Sequence, residues 1–160
     1  MNEEIHNSKK GKAIEYYIIC ELLKNDFDVY IPVVDLEGVD MIVRNKSGSY
    51  IEIQVKARAI KHKASEIYAR YEQPKTNLLF VIYDTVKDDF WVIPSLVYNK
   101  YARKKIDSVG REQNIVLATD ILSDDYYKNE KGIEFLKRAL TDPHNVILSK
   151  LDLGGKKNGH

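Results

Sequence analysis

Hydrophobic and polar side chains alternate in several short stretches, a pattern typical of strands with one buried face. The clearest stretches are residues 27–32, 39–45 and 49–56. The Lys-Ser-Gly sequence at 46–48 has the composition of a turn, so the second and third stretches predict a hairpin. A continuous apolar run at 78–84 is typical of a central strand covered on both faces.

Helical periodicity and weaker strand patterns account for most of the remaining chain. Helices are predicted at 8–25, 95–104 and 131–140, and further strands at 89–93 and 114–118. Ser8 can cap the first helix and Asn25–Asp26 can end it, while Pro143 lies just beyond the last. The charged segment 57–76, with few aliphatic residues, predicts a loop and a short helix. This order predicts an α/β fold, a mixed sheet flanked by helices.

Length and composition are those of one folded domain rather than a disordered or membrane chain. The 160 residues, 44% of them apolar and 31% charged, predict a single domain over 1–150 and a flexible tail over 151–160. No apolar run spans a bilayer, and the N-terminus lacks a signal-peptide pattern, so we expect a cytoplasmic protein without membrane contact. Cys20 lies in an apolar helical run, which favours a buried, inert thiol.

The polar face of the 49–56 strand is the main candidate for chemistry. Ile51, Ile53 and Val55 share its apolar face, and Glu52, Gln54 and Lys56 share the other. Taken alone, the polar face with Glu52, Gln54 and Lys56 is what the solvent-exposed side of a hairpin would show. Asp40 changes the interpretation, because the hairpin brings it back beside Gln54 and Lys56. A carboxylate, an amide oxygen and an ammonium group at one strand end could hold Mg²⁺ beside a water molecule.

Glu15 supplies an independent signal in the first helix. At about 100° per residue it falls near the middle of the apolar face formed by Ile14, Ile18, Ile19, Leu22 and Leu23. A buried carboxylate is costly unless a partner satisfies it. Glu15 either reaches solvent near the helix start or reaches over the sheet to the same metal ion.

Three short motifs together resemble the core of the PD-(D/E)XK nuclease superfamily. They are Gly11-x-x-x-Glu15, Gly38-Val39-Asp40 and Gln54-Val55-Lys56, within roughly residues 8–94. Members include restriction endonucleases, archaeal Holliday-junction resolvases and some homing endonucleases. The resemblance implies a restriction-endonuclease-like fold, hydrolysis of phosphodiester bonds in DNA, and dependence on Mg²⁺ or Mn²⁺.

Carried onto this sequence, the resemblance assigns a role to each candidate residue. Asp40, Gln54 and the backbone carbonyl of Val55 would bind the metal, with Glu15 bound directly or through water. Lys56 would position the attacking water and stabilise charge on the phosphate. Gln54 departs from the family, since Asp or Glu usually stands there, and its neutral amide should weaken metal binding.

The segment after this strand carries candidate DNA contacts. Phosphate-binding residues are predicted at Arg58, Lys61, Lys63 and Arg70. The net charge of +1 argues neither for nor against nucleic-acid binding. The alternative is that these cations form a basic face in contact with solvent. Tyr68 and Tyr71 interleave with these cations and either help to bind DNA or pack under a loop.

Two other functions remain open from the sequence. Gln54 is also compatible with a catalytically inactive nucleic-acid-binding or regulatory domain on the same scaffold. An unrelated α/β domain with a protein partner would place Asp40 more than about 10 Å from Lys56, beyond the reach of one hydrated Mg²⁺. For the nuclease we expect a homodimer or higher homo-oligomer, since each chain carries one site and cuts one strand.

Overall fold

The computed structural model describes residues 2–34, 38–62, 65–69, 71–123 and 125–153, folded into two β-sheets with flanking helices. The helices are α1 (Asn2–Lys24), α2 (Ser95–Tyr101), α3 (Ala118–Ile121), α4 (Asn129–Thr141) and α5 (Pro143–Leu153), with a 3₁₀ turn at Asp125–Tyr127. The strands are β1 (Asp28–Tyr30), β2 (Met41–Arg44), β3 (Tyr50–Arg58), β4 (Glu66–Ala69), β5 (Leu78–Asp84), β6 (Asp89–Pro94), β7 (Arg103–Ile106) and β8 (Glu112–Leu117).

The large sheet has the strand order β1-β2-β3-β5-β6. The β3–β5 pair is parallel and the other pairs are antiparallel, which confirms the predicted mixed sheet. Leu79, Phe80, Val81 and Ile82 of β5 are almost fully buried, as expected for a central strand covered on both faces.

Helices cover the large sheet on both faces. Tyr17 of α1 packs against Tyr83, with ring centroids 5.6 Å apart, and Tyr83 lies in register with Ala57. α1 therefore covers the face of β3 that carries Ile51, Ile53 and Val55. On the other face, Tyr98 of α2 packs against Phe80 with centroids 4.8 Å apart.

The turn between β2 and β3 sets the register of the hairpin. Asn45 Oδ1 accepts hydrogen bonds from Ser49 N at 2.9 Å and Ser47 Oγ at 2.7 Å, and Gly48 adopts φ +93°. A positive φ favours glycine because it has no Cβ. This turn pairs Met41 with Ile53, so β3 continues past the start of β2.

The first helix starts earlier than predicted and ends where predicted. It begins at Asn2, so Ser8 lies inside it and is not its cap. At its end, Phe27 N donates to Leu22 O and Asp26 N to Leu23 O, with Asp26 at φ +63°, the Schellman arrangement. The apolar face is narrower than predicted, because Leu23 is 54% exposed, and Cys20 is exposed rather than buried.

A small sheet with the order β4-β8-β7 is the main feature that the sequence did not predict. β4 lies within the segment predicted as a loop and short helix. α2 ends at Tyr101 and β7 follows, where the predicted helix continued to 104. Tyr98 joins α2 to this sheet, because its hydroxyl lies 2.8 Å from Ile67 O and 3.0 Å from Asn114 O.

The C-terminal region is more helical than predicted. Pro143 is the first residue of α5, a position where proline is favoured because the missing N–H has no helical partner there. α5 runs to Leu153, three residues into the predicted tail, and 154–160 lie outside the described residues. Within the described ranges, no helix is both long and apolar enough to cross a membrane.

Candidate active site

Asp40 is the residue just before β2 begins. Beyond this point β3 continues without β2 beside it. Its backbone N–H donates to Ile53 O at 2.9 Å, and its Oδ2 accepts from Val55 N at 2.7 Å. The Asp40 carboxylate thus takes the place of a β2 backbone carbonyl as the acceptor for Val55 N. The hairpin register places Asp40 opposite Gln54, one residue beyond the Met41–Ile53 pair, and its bond to Val55 N lies one residue from Lys56.

Gln54 is the best-buried polar residue near Asp40, with 2% of its surface exposed. Its Nε2 donates to Gly38 O at 2.5 Å, which ties β3 to the loop before Asp40. Its Oε1 is buried and has no hydrogen-bond partner within the described residues. A buried acceptor without a hydrogen bond is costly, so this oxygen is a candidate metal ligand.

The Val55 backbone adds an oxygen on the same edge of β3. A strand residue directs its N–H and its carbonyl to the same neighbouring strand. Since Val55 N donates to Asp40 Oδ2, its carbonyl also faces the edge beyond the Met41–Ile53 pair. The side chain of Val55 is buried in the apolar core on the α1 face.

Glu15 lies on the other side of the large sheet from the polar face of β3. It lies on α1, which covers the Val55 face, whereas Gln54 and Lys56 belong to the opposite face. Glu15 is partly buried and forms an ion pair with Lys12. The hydrogen bond to Glu15 raises the pKa of Lys12, and the charge of Asp40 acts in the same direction. Lys12 therefore lies near enough to both Glu15 and Asp40 to feel the charge of each carboxylate.

A large open cleft adjoins this group of residues. Its volume is about 750 Å³, and one wall is the polar face of β3 with Gln54, Lys56 and Arg58. The other wall includes Tyr68 of β4 and Asn114 of β8, both in the small sheet, and Tyr71, which follows β4. We call this space the main cleft. It lies on the Gln54 and Lys56 face, where the half-buried Lys56 can meet a substrate and Gln54 lies in the buried part of the wall.

The predicted DNA contacts have different surroundings. Arg58 lines the main cleft, donates to Ala57 O at 2.7 Å and lies over the Tyr68 ring at 5.7 Å. Burial lowers the pKa of its guanidinium, which nonetheless stays cationic. Lys61 is exposed and does not line the main cleft. Lys63 and Arg70 lie outside the described residues.

Tyr71 mainly packs in the core, whereas Tyr68 faces the cleft. The Tyr71 ring contacts Phe80 and Tyr98, with centroids 5.4 and 6.0 Å away. Burial raises the pKa of Tyr71 to about 12. The sequence did not indicate the cleft residues Glu112, Gln113 and Asn114, because they lie more than fifty residues after β3 and belong to β8.

The acidic residues alone do not form a metal site. Among the described residues, no three His, Cys, Asp or Glu side chains are placed to share one metal ion. The oxygen atoms gathered at β3 are instead one carboxylate, one amide oxygen and one backbone carbonyl. Such a mixed set suits Mg²⁺, which takes few carboxylates and completes its shell with water and phosphate.

The family model for "PD-(D/E)XK endonuclease" matches residues 5–104, which is more than half of the chain and includes every predicted catalytic residue. The chain belongs to the PD-(D/E)XK endonuclease family. The match spans α1 from residue 5, strands β1 to β6 and α2, so the interpretation as an unrelated α/β domain is wrong. The match ends at Lys104, within β7, and leaves β8 and the helices that follow it outside.

Two solved structures share the fold of this PD-(D/E)XK chain. One is a bacterial homing endonuclease, I-Ssp6803I, with a TM-score of 0.52 and 19% identity, over 85% of this chain and 92% of that one. The other is D212, a nuclease from a fusellovirus, with a TM-score of 0.51 and 17% identity, over 84% and 94%. No curated protein sequence matches the chain.

Proposed function

We propose that this chain is a Mg²⁺-dependent endonuclease that hydrolyses phosphodiester bonds in DNA. One set of contacts supports the proposal: Asp40 Oδ2 accepts from the backbone N–H of Val55, whose neighbours Gln54 and Lys56 line the main cleft, and the buried Gln54 Oε1 has no protein partner among the described residues. Membership in an endonuclease family gives the reaction class. DNA as substrate and Mg²⁺ or Mn²⁺ as cofactor are the finer steps of the proposal.

The residues present fit a hard divalent cation. Asp40 supplies a carboxylate, Gln54 an amide oxygen and Val55 a backbone carbonyl, all at one edge of β3. Glu15 would join through water around that edge, since its helix lies on the opposite face. When bound there, the cation would stabilise charge on a phosphoryl oxygen and make a bound water more acidic.

The protein's own part in the reaction is to hold these groups ready. Val55 N fixes the Asp40 carboxylate, and Gly38 O fixes the Gln54 amide, so neither side chain needs to reorganise when substrate binds. Lys56 lies on the cleft face, where its ammonium group can orient the attacking water. The same charge would stabilise the negative charge that gathers on the phosphate.

The DNA would lie along the main cleft with Arg58 at its side. Phosphate contacts of this kind position a nucleic acid without reading its sequence. Each chain carries one such site, so we include in the proposal a homodimer or higher homo-oligomer for cutting both strands of a duplex.

The test is cleavage of supercoiled plasmid DNA with Mg²⁺ or EDTA by the wild type, Asp40→Asn and Lys56→Gln. Asp40→Asn keeps an oxygen that can accept from Val55 N, so the fold should survive while charge for the metal is lost. We expect each variant to cut at least about 100-fold more slowly, the usual effect of losing one group that stabilises transition-state charge. Cutting at the wild-type rate by both variants, or full activity in EDTA, would refute the proposal.

The same experiment addresses an inactive DNA-binding domain. Gln54 favours this second function, because a neutral amide contributes no charge to a metal site. Wild-type protein that binds DNA in a salt-dependent way, yet cuts at no Mg²⁺ or Mn²⁺ concentration, would support it.

A further inference from the structure

A second cavity opens next to the main cleft, on the outer face of the small sheet. Its volume is about 410 Å³, and its lining includes Arg58, Tyr68, Lys105, Ser108 and Gln113. Three of these residues, Arg58, Tyr68 and Gln113, also line the main cleft, so the two spaces adjoin. The family match ends before Lys105, so Lys105, Ser108 and Gln113 of this cavity lie outside the matched part of the chain.

Two cations are held in this second cavity by one aromatic ring. The guanidinium carbon of Arg58 lies 5.7 Å from the Tyr68 ring centroid, and Lys105 Nζ lies 5.9 Å from it. Arg58 also reaches Tyr68 O at 3.5 Å, so it spans from β3 to β4. Cation–π contacts within about 6 Å hold both cations against the same ring, while Lys105 Nζ also donates to Glu66.

Two acidic groups are already engaged: Glu66 beside Lys105, and Asp107, which itself lines the second cavity. Glu66 accepts from the Tyr68 hydroxyl and from Lys105 Nζ, the latter at 2.9 Å. Asp107 accepts from Arg111 N and Nε at 2.9 and 2.8 Å, from Val109 N at 3.0 Å and from Gln113 Nε2 at 2.9 Å. These donors hold the pKa of the Asp107 carboxyl well below its usual range, so it stays ionised within its own turn.

Three cations connect the candidate active site with the second cavity: Lys56 and Arg58 line the main cleft, and Arg58 and Lys105 line the second cavity. Lys56 and Arg58 lie on the same face of β3, two residues or about 7 Å apart along the strand. Lys105 follows, because it contacts the same Tyr68 ring as Arg58. A row of positive side chains leading out of a cleft complements the evenly spaced charges of a DNA backbone.

We propose that the second cavity binds a backbone phosphate of duplex DNA, next to the segment held in the main cleft, through Lys105 and Arg58. Glu66 competes with that phosphate for Lys105. The inference rests on the proposed function, since it takes DNA as the molecule in the main cleft. It adds a binding site on β7 and β8 that the candidate active site does not use.

The test measures equilibrium binding of a labelled DNA duplex in EDTA over a series of salt concentrations. Loss of one phosphate contact should reduce the slope of log K against log salt by about 0.9 and lower the affinity roughly five- to tenfold at about 0.1 M salt. We expect this result for Lys105→Gln. Glu66→Gln should instead raise the affinity, which a folding defect would not produce.

Lys137→Gln is the matched control. Lys137 also sits in a surface ion pair, with Glu134 at 3.4 Å, but it borders the turn residues Asn45 and Lys46 at the other end of β2. Its loss should leave the slope unchanged. An unaltered slope in Lys105→Gln, an equal fall in Lys137→Gln, or weaker binding by Glu66→Gln would each overturn the inference.

Cleavage with Mg²⁺, measured separately, distinguishes this inference from the proposed function. Wild-type cutting together with an unchanged Lys105→Gln slope would reject the second cavity alone. A reduced slope in a protein that never cuts would keep the second cavity as a binding site and reject the nuclease proposal.

Discussion

Gln54 makes a hydrogen bond that a carboxylate could not make. Its Nε2 donates to Gly38 O at 2.5 Å, and in a glutamate an acceptor oxygen would face that carbonyl. Without metal, Gln54→Glu should therefore lower the free energy of unfolding by roughly 1–3 kcal/mol, the cost of a buried group left unpaired. Bound Mg²⁺ would neutralise the added charge, so the variant should regain stability and bind Mg²⁺ more tightly than the wild type.

Thermal unfolding of the wild type and Gln54→Glu, each with EDTA and with Mg²⁺, measures both effects. The variant should show the lower Tm in EDTA and the larger rise in Tm when Mg²⁺ is added. A variant with the same Tm in both buffers would mean that position 54 does not face a metal site.

At the scale of single residues, the period of one strand was enough to predict which side chains of β3 share a face at the candidate site. Alternation along 49–56 places Gln54 and Lys56 on one face, and the hairpin turn returns Asp40 to their edge. Helical periodicity placed Glu15 among buried side chains but could not say which face of the sheet its helix covers. Gln113 was not predicted, because its place in the cleft depends on strand pairing between distant parts of the chain.

Two glycines show how differently the helices are packed. Gly132 of α4 lies so near the 3₁₀ turn that an added Cβ would stand 2.3 Å from Tyr127 O and 3.0 Å from Val92 Cγ2. Gly11 of α1 has nothing within 4 Å of the same position. Since α4 lies against β6 and the 3₁₀ turn, its close approach there depends on the absence of a side chain.

Alanine at these two positions should change stability in opposite directions. Gly132→Ala must push α4 away from the 3₁₀ turn, which should lower the free energy of unfolding by about 1–3 kcal/mol. Gly11→Ala should raise it by about 0.5–1 kcal/mol, because alanine loses less conformational entropy in a helix. Urea denaturation of both variants checks this, and a stabilised Gly132→Ala would contradict the packing described for α4.

Elements with a strong period or an apolar run were predicted, and elements held by partners were not. The apolar run of β5 and the hairpin of β2 and β3 were found because burial shapes their own sequences. All four residues of β7 are exposed, so that strand shows no alternation and forms only because β8 pairs with it. Pro143 was interpreted as lying beyond a helix, although proline is equally suited to a first helical turn.

At the scale of the whole molecule, the connection between β3 and β5 builds the cleft. A parallel pair needs a crossover, and here the crossover carries β4. β4 pairs with β8, which begins 43 residues after β4 ends, so the small sheet comes to face the polar side of β3. The sequence indicated the large sheet, but the partner of β4 depends on long-range pairing that no local pattern encodes.

The oligomeric state of the protein determines whether one binding event on duplex DNA leads to a cut in one strand or in both. If chains act in pairs, a mixture of wild type and Lys56→Gln will contain pairs with a single active site, and these should nick supercoiled DNA instead of linearising it. Raising the share of Lys56→Gln at constant total protein should therefore shift the product from linear to open-circular DNA on a gel. If the inactive variant slows cutting only in proportion to its share, with the product ratio unchanged, then each chain cuts on its own and the homodimer is excluded from the proposal.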